Sequence, residues 1–354
     1  MSEQELADAI IRHALDLQRL SAHEEAEAVR LLRLMEDDLK RLMNAETLSE
    51  LRKRELNAVI AEAEKIIDAH YGSLAAGVDT HALMLAVAKN TADLLSAAFP
   101  RIATQPPSPE RLASLSKEVL IDGAPTAAWW ERQAEDTAQK FAGQVRQGVV
   151  NGETNERIVQ RIVGRKPRGD VPGEPGIMET TRRNARALVH SSIMQAANDS
   201  RYATFKKMAR FALGVQWLAT LDGITCPICV ALDGEMWDFD GAPIKGATIE
   251  WQGTPPKHWS CRCVLTLVPK RDALEAAMPG ITEELEARGG RASSLGPTGA
   301  DTSMTGYLRR APRAQVEEQL GKGRADMFLA GKLTLRDLVT GTGRPLTLKE
   351  LQSR

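Results

Sequence analysis

The sequence predicts a mainly α class: a helical N-terminal region, a central α+β module built around one small β-hairpin, and a short helical C-terminal tail. Three observations lead there. Ala, Leu, Glu and Arg dominate while aromatic residues make up only 4% of the chain, the usage of helices. Apolar residues recur at helical spacing through most of the first two hundred positions, and alternation of the strand kind begins only at Val215. All four cysteines fall between positions 226 and 263, in the stretch richest in turn residues. At 354 residues the chain exceeds the size at which one core keeps growing, so more than one compact unit is expected.

Residues 5 to 95 read as helices. Ala28, Leu32, Met35, Leu39 and Leu42 alternate spacings of four and three, a packing seam with Glu and Arg on the other faces. The run is too short for a long coiled coil and predicts a helical hairpin or bundle element. Pro100 and the Pro-rich 105–109 mark an extended excursion. A helix is expected over Thr126–Val150, with Trp129 and Trp130 near its start and Gly152 ending it, then a short amphipathic helix over Asn155–Val163. Residues 164–176 hold too much Gly and Pro for a helix or a sheet centre and read as a mobile loop between two halves. Helical periodicity returns from Thr180 to Met208.

Val215, Trp217 and Ala219 alternate with Gln216, Leu218 and Thr220, and 264–268 is a β-branched run, so both read as short strands. Asp222-Gly223 and Asp233-Gly234 bracket the first cysteine pair as turns of a hairpin. A polar helix is expected over Asp272–Arg288, followed by a linker from Gly289 through Ser303. In the last fifty residues Gly321 and Gly331 stop helices, and Thr334-x-x-Asp337 and Thr347-x-x-Glu350 open them with capping boxes. The resulting segments are a helical region 1–150, a short helix and linker 151–178, a cysteine-bearing module 179–270, a helix and linker 271–303, and a separate helical tail 304–354.

Cys226-Pro227-Ile228-Cys229 is followed 29 residues on by His258-Trp259-Ser260-Cys261-Arg262-Cys263. Thiolates and imidazole are the ligands of tetrahedral zinc, and C-x-x-C set against a second soft-ligand cluster is the spacing of such a site. Core thiols or disulfides are the alternatives. Cys226, Cys229, His258, Cys261 and Cys263 are thus five candidates for four positions, enough to close a structural Zn site. Spacing leaves open which four bind. Cys261 and Cys263 would face opposite sides of a strand, which would make one a bystander. A metal here would staple 222–269, whose Gly, Pro and polar content is high for a core held by burial alone.

A net charge of −1 excludes a chain-wide polycation. Locally, residues 156–210 carry twelve Lys and Arg against five acids, a patch fit for DNA phosphate or an acidic protein surface, or else a solvated helix face paired with the acidic N-terminal helices. His190 beside Ser191 and Ser192 invites a catalytic reading, but nothing in sequence pairs it with a nucleophile or an acid. His13, His23, His70 and His81 lack metal spacing and read as surface residues. No phosphate loop, nucleophile elbow, H-E-x-x-H or zinc-deaminase signature occurs, so no catalytic residue is assigned. The start lacks the basic and apolar regions of a secretory signal, and Ala82–Phe99 is broken by Lys89, Asn90 and Asp93, so no membrane span is expected. A reducing compartment favours metal over disulfide for clustered cysteines.

Three stretches taken together carry a family resemblance. They are Ala185-Arg186-Ala187-Leu188-Val189-His190, then Val215 to Cys229 with Ala231-Leu232-Asp233-Gly234, and Pro255-Pro256-Lys257-His258-Trp259-Ser260-Cys261-Arg262-Cys263. This pattern resembles the phage head morphogenesis family, whose members are similar to the phage Mu F protein, minor head proteins of tailed phages and prophages. The likeness covers about 180–270; the tail stretches Leu320–Ala325 and Gly343–Leu348 also look like endings common in the family, and Trp259 stands where Pro often follows the histidine. The resemblance implies a minor capsid protein located in the virion after synthesis in host cytoplasm. It implies association with the portal protein and other capsid components, and a part in head assembly, DNA packaging or delivery. A zinc-containing nuclease acting on phage DNA is the reading from another class, with residues 165–210 as its DNA surface.

Overall fold

Strong helix formers fill most of the chain, and the structure is accordingly mainly helical. The computed structural model describes residues 3–77, 79–118, 120–168, 172–286, 290–291, 298–299 and 303–353. It divides into two compact units, one of residues 1–18, 80–119 and 194–354, the other of 19–79 and 120–193. The helices are α1 (Glu3–Asn44), α2 (Lys53–Ala75), α3 (Thr80–Ala98), α4 (Pro109–Glu118), α5 (Thr126–Val150), α6 (Asn155–Val163), α7 (Ile177–Lys206) and the short α8 (Pro227–Leu232). Beyond them lie α9 (Arg271–Ala277), α10 (Ile281–Glu286), α11 (Met304–Arg310), α12 (Arg313–Leu320), α13 (Lys322–Leu329) and α14 (Leu348–Gln352). The expected 126–150 and 155–163 helices take those same bounds.

In the 19–79 and 120–193 unit, Ala28, Leu32, Met35 and Leu39 are buried as the seam requires. Leu42 is only half-buried and Met43 takes the inward place, because 3.6 residues per turn drifts from the strict repeat. Tyr71 of α2 meets Trp130 of α5 with ring centroids 6.1 Å apart, and its hydroxyl lies 2.9 Å from Thr137 Oγ1. Asn155, first residue of α6, donates to the carbonyls of Met43 and Glu46 and accepts from Leu48 N–H, tying three turns together. A two-residue ladder of β1 (Leu120–Ile121) and β2 (Ala124–Pro125) precedes α5. The 164–176 excursion, expected to be mobile, is closed at its base: Arg165 and Glu174 exchange backbone hydrogen bonds of 2.7 and 2.9 Å, and their side chains pair at 3.0 Å. Residues 169–171 of it lie outside the described residues.

The other unit is organised on a three-stranded antiparallel sheet, β3 (Ala212–Leu218), β4 (Met236–Trp237) and β5 (Val264–Pro269), in the order β4-β3-β5. Val215 pairs with Trp237 on one side and Leu267 on the other. Every residue of β5 is buried, Thr266 included, whereas β3 leaves Leu213 and Gln216 half-buried. Gly214 sits at a bulge where a Cβ would collide with the carbonyl oxygen of Trp237, so only glycine fits. The hairpin expected across the cysteine pair forms between β3 and β4, with α8 carried in its connection.

Two further expectations change. The single helix over 272–288 is two helices, since Pro279 has no N–H to donate and Gly280 turns at φ +87°, its own N–H captured by Glu275 at 2.6 Å. The linker at 289–303 falls mostly outside the described residues; within it Gly290–Arg291 (β6) pairs antiparallel with Thr298–Gly299 (β7). The tail, expected to stand apart, packs in the same unit as the sheet: Tyr307, Leu308, Val316, Leu320 and Phe328 join one buried cluster with Trp217, Trp237 and Leu265. Both capping boxes form, the Thr334 box opening a 3-10 turn over Leu335–Leu338. Among the described residues no helix is long and apolar enough to cross a membrane.

Of the four N-terminal histidines only His23 is exposed. His70 contacts Asp38 at 2.8 Å, His81 is half-buried, and His13 lies 3.4 Å from an Nη of the fully buried Arg201, whose other Nη donates to Asn198 at 3.1 Å. Burial first, and then the Arg201 charge, pull the His13 pKa from 6.5 down to about 4, against a smaller upward pull from Asp16. The unfolded chain therefore binds a proton below 6.5 that the folded chain refuses until about 4, and the stability His13 contributes above 6.5 is lost as pH falls through that window. In urea melts, His13→Gln should lose less stability than the parent between about pH 7 and about pH 4.5; equal losses would show that His13 carries none of the acid sensitivity.

Candidate metal centre

Cys226 is the N-cap of α8, and Pro227 is its first helical position, where the missing N–H costs nothing. The Cys226 sulfur accepts the Cys229 N–H at 3.4 Å, so the helix start turns both sulfurs the same way. Opposite, Ser260 adopts φ +61° and Cys261 N–H bonds back to the His258 carbonyl at 3.2 Å, a tight turn that presents His258 and Cys261 together. The Cys229 sulfur lies 3.3 Å from His258 Nε2 and 3.6 Å from the Cys261 sulfur.

All five candidates converge. The ligand atoms of Cys226, Cys229 and His258 lie within 4.8 Å of one another, as do those of Cys229, Cys261 and Cys263. Cys261 and Cys263 do not face opposite ways, because the segment enters β5 only at Val264 and both sulfurs are buried. All four cysteines are free thiols. His258 Nδ1 lies 2.9 Å from the Trp259 carbonyl, a hydrogen bond that puts a proton on Nδ1 and turns Nε2 toward the sulfurs.

Electrostatics agree with a cation-binding role. Contact with Cys229 pulls the Cys226 thiol down to about 5 and holds Cys261 well below the usual thiol range. Their partners move the other way, Cys229 pushed up by Cys226 and the other sulfurs, Cys263 pushed up by burial. His258 is raised to about 11 by the Cys226 and Cys261 sulfurs. So close a set of sulfurs favours two thiolates beside an imidazolium; more negative charge needs a stronger cation among them. The donor set, soft and closed, could hold a metal ion.

The scaffold around the two knuckles was not read from sequence. Arg262 forks onto Asp222, Nη1 to Oδ2 at 2.5 Å and Nη2 to Oδ1 at 3.0 Å, while Asp222 Oδ1 also accepts Ile224 N–H at 3.0 Å and Thr225 Oγ1 at 3.1 Å. Thr220 Oγ1 donates to the Arg262 carbonyl, and buried Asn198 of α7 donates to the Cys263 carbonyl at 3.2 Å. Asp222 was visible only as half of a turn dipeptide, and Arg262 only as the residue between two cysteines.

The remaining site residues separate. His190 Nδ1 lies 3.1 Å from the buried Ser21 Oγ, which donates to Glu25 at 2.9 Å, so hydroxyl and carboxylate stand on the same ring nitrogen rather than on opposite ones as in a Ser-His-acid relay. Four of the twelve cations are paired: Arg157 and Arg165 with Glu174, Arg161 with Glu153, and Arg182 with Glu36 of α1, the one pair here that reaches an N-terminal helix. Lys166, Arg168, Arg183 and Arg186 remain exposed.

A mainly helical protein with a Cys/His cluster clamped beside a small sheet is the class these features define. Residues 139–266, somewhat over a third of the chain, match the family model described as phage Mu protein F like protein. The resemblance read from 180–270 is borne out and reaches upstream into α5. No curated protein and no solved structure matches the chain.

Asp222→Ala should cost the sheet-bearing unit about 1.5–3 kcal/mol, since it removes a charged fork and two turn bonds. Amide exchange over 215–268 reports it. Unchanged protection there would show that the fork is dispensable.

Proposed function

We propose that the protein is a non-enzymatic minor head protein that joins other capsid components at the portal vertex and takes part in head assembly, packaging or delivery of DNA, within the virion. The Mu F-like match over 139–266 carries this reading. Packaged DNA is a further proposed partner, through the exposed cations within 165–210. A nuclease would need an open metal position or a general base, and the cluster offers more donors than a tetrahedral ion can take.

The metal proposed is structural Zn, held by Cys226, Cys229, His258 and Cys261. His258 touches both Cys226 and Cys261, and Cys229 touches all three others, whereas Cys263 clusters with Cys229 and Cys261. Bound zinc would cross-link the start of α8 to the turn before β5 and fold that corner outright, on the order of 10 kcal/mol for a thiolate-rich site near neutral pH.

Protein purified without added metal should contain one zinc per chain by elemental analysis. Cys226→Ser should lose it and unprotect the 215–268 amides while the helices of the other unit persist; Cys263→Ser should keep it. A zinc ratio near zero with those amides protected would leave the cysteines as core thiols.

Mass spectrometry of procapsids and virions should find the chain in few copies alongside portal. Absence from every head intermediate would defeat the assignment, and metal-dependent DNA cleavage by the purified protein would favour the nuclease.

A further inference from the structure

The 1–18, 80–119 and 194–354 unit has a second concave feature, on the α4 side of α7. Beneath it Met84, Ala88, Leu112 and Ala196 pack α3, α4 and α7 into a small buried cluster. Above that cluster the helices part to leave a cleft of ≈360 Å³, within the range of ligand pockets. Leu115 and Ala203 give it apolar walls, and Tyr202 closes one end, held by a hydrogen bond to the Phe239 carbonyl and a stack on Trp251 at 5.6 Å.

Three cations line the cleft: Arg111, Lys206 and Lys207. Lys206 reaches only the Phe239 carbonyl, and neither lysine meets a carboxylate among the described residues; Arg111 has a loose, exposed contact with Glu118 at 3.8 Å. Asp199 also lines the cleft, but its carboxylate is taken by Gln195 and Thr254. Asp238, near Tyr202, is taken by the amides of Asp240 and Ala242. Among the charged residues lining the cleft the cations outnumber the single acid, Asp199, three to one, while Asp238 and Asp240 stand near the Tyr202 end.

We propose that this cleft docks an extended acidic segment of another protein, one apolar side chain entering between Leu115 and Ala203 while flanking carboxylates meet Arg111, Lys206 and Lys207. That the partner is a head component rests on the function proposed above; the docking chemistry does not. Duplex DNA fits less well, because it offers convex phosphates and nothing apolar to fill a hollow.

The test uses the full chain and a short fluorescein-labelled peptide of Asp and Glu with a central Leu-Phe pair, followed by anisotropy. Saturable binding is expected, about tenfold weaker in Lys206→Glu/Lys207→Glu and again in Ala203→Trp, which fills the cleft without touching charge. The circular dichroism and metal content of both variants should stay those of the parent, and a Lys-for-acid peptide should not bind. No saturation with the parent protein overturns the proposal. So does peptide binding indifferent to Ala203→Trp. A short DNA duplex that displaces the peptide, with its own binding lost on charge reversal yet untouched by Ala203→Trp, would make the surface a phosphate contact instead. Peptide binding by a protein that never enters procapsids would defeat the head assignment alone.

Discussion

The meeting of two short segments at the Cys229 sulfur is the constraint on which the sheet-bearing unit depends. Neither segment has much regular structure of its own: one is a six-residue helix, the other a turn with a residue at positive φ. Their partners instead come from every neighbouring element. Asp222 before α8 grips Arg262 after the turn, Asn198 of α7 holds the Cys263 carbonyl, and Gln319 of α12 donates to the Thr225 carbonyl at 3.0 Å. Four soft donors brought together this way repel one another when ionised, so the same contacts that fix the geometry make a cation favourable there.

The C-terminal tail belongs to that construction. Glu235 is wholly buried at the start of the α8–β4 return; one oxygen accepts the N–H groups of Thr248 and Ile249 at 2.8 and 3.0 Å, and the other pairs with Arg336 Nε at 2.6 Å. Asp233 does the same on a smaller scale, accepting Ala219 N–H and Met304 N–H. A buried carboxylate left without such partners would be strongly unfavourable, so removing the tail would strip a charge of its counter-ion as well as uncovering apolar surface. The loop between β4 and β5 is thereby held from both sides, with Glu250 N–H on the Gly341 carbonyl at 2.7 Å.

What was legible in the sequence follows from which forces are local. The bounds of α5 and α6 were readable because Gly152 and Thr154 act on their own turns, and the capping boxes at Thr334 and Thr347 are likewise complete within four residues. The five metal candidates were readable because soft ligands are rare and this chain places all its cysteines together. The break at Pro279 was a local signal passed over in favour of the polar helical pattern around it. The Asp222–Arg262 fork, the Asn198 anchor and the place of the tail were not readable, because each joins residues 40 to 94 positions apart with no periodic signature. The α4–α7 cleft escaped for the same reason, since Arg111 and Lys207 are neighbours only after folding.

Burial also separates holding from reacting. Cys229, Cys261 and Cys263 are almost inaccessible, and His258 Nε2 faces the sulfurs. A catalytic metal needs a side open to water or substrate and a base able to move a proton. Here the inward faces of the donors are taken up by one another, and the second-sphere groups, Asn198, Thr220 and Arg262, are engaged with backbone or carboxylate partners. A metal held there would join two pieces of chain, in keeping with the structural role proposed above. On that reading, recognition falls to surfaces the centre keeps in register, and the cation-lined cleft beside α7 combines shape with charge among the described residues.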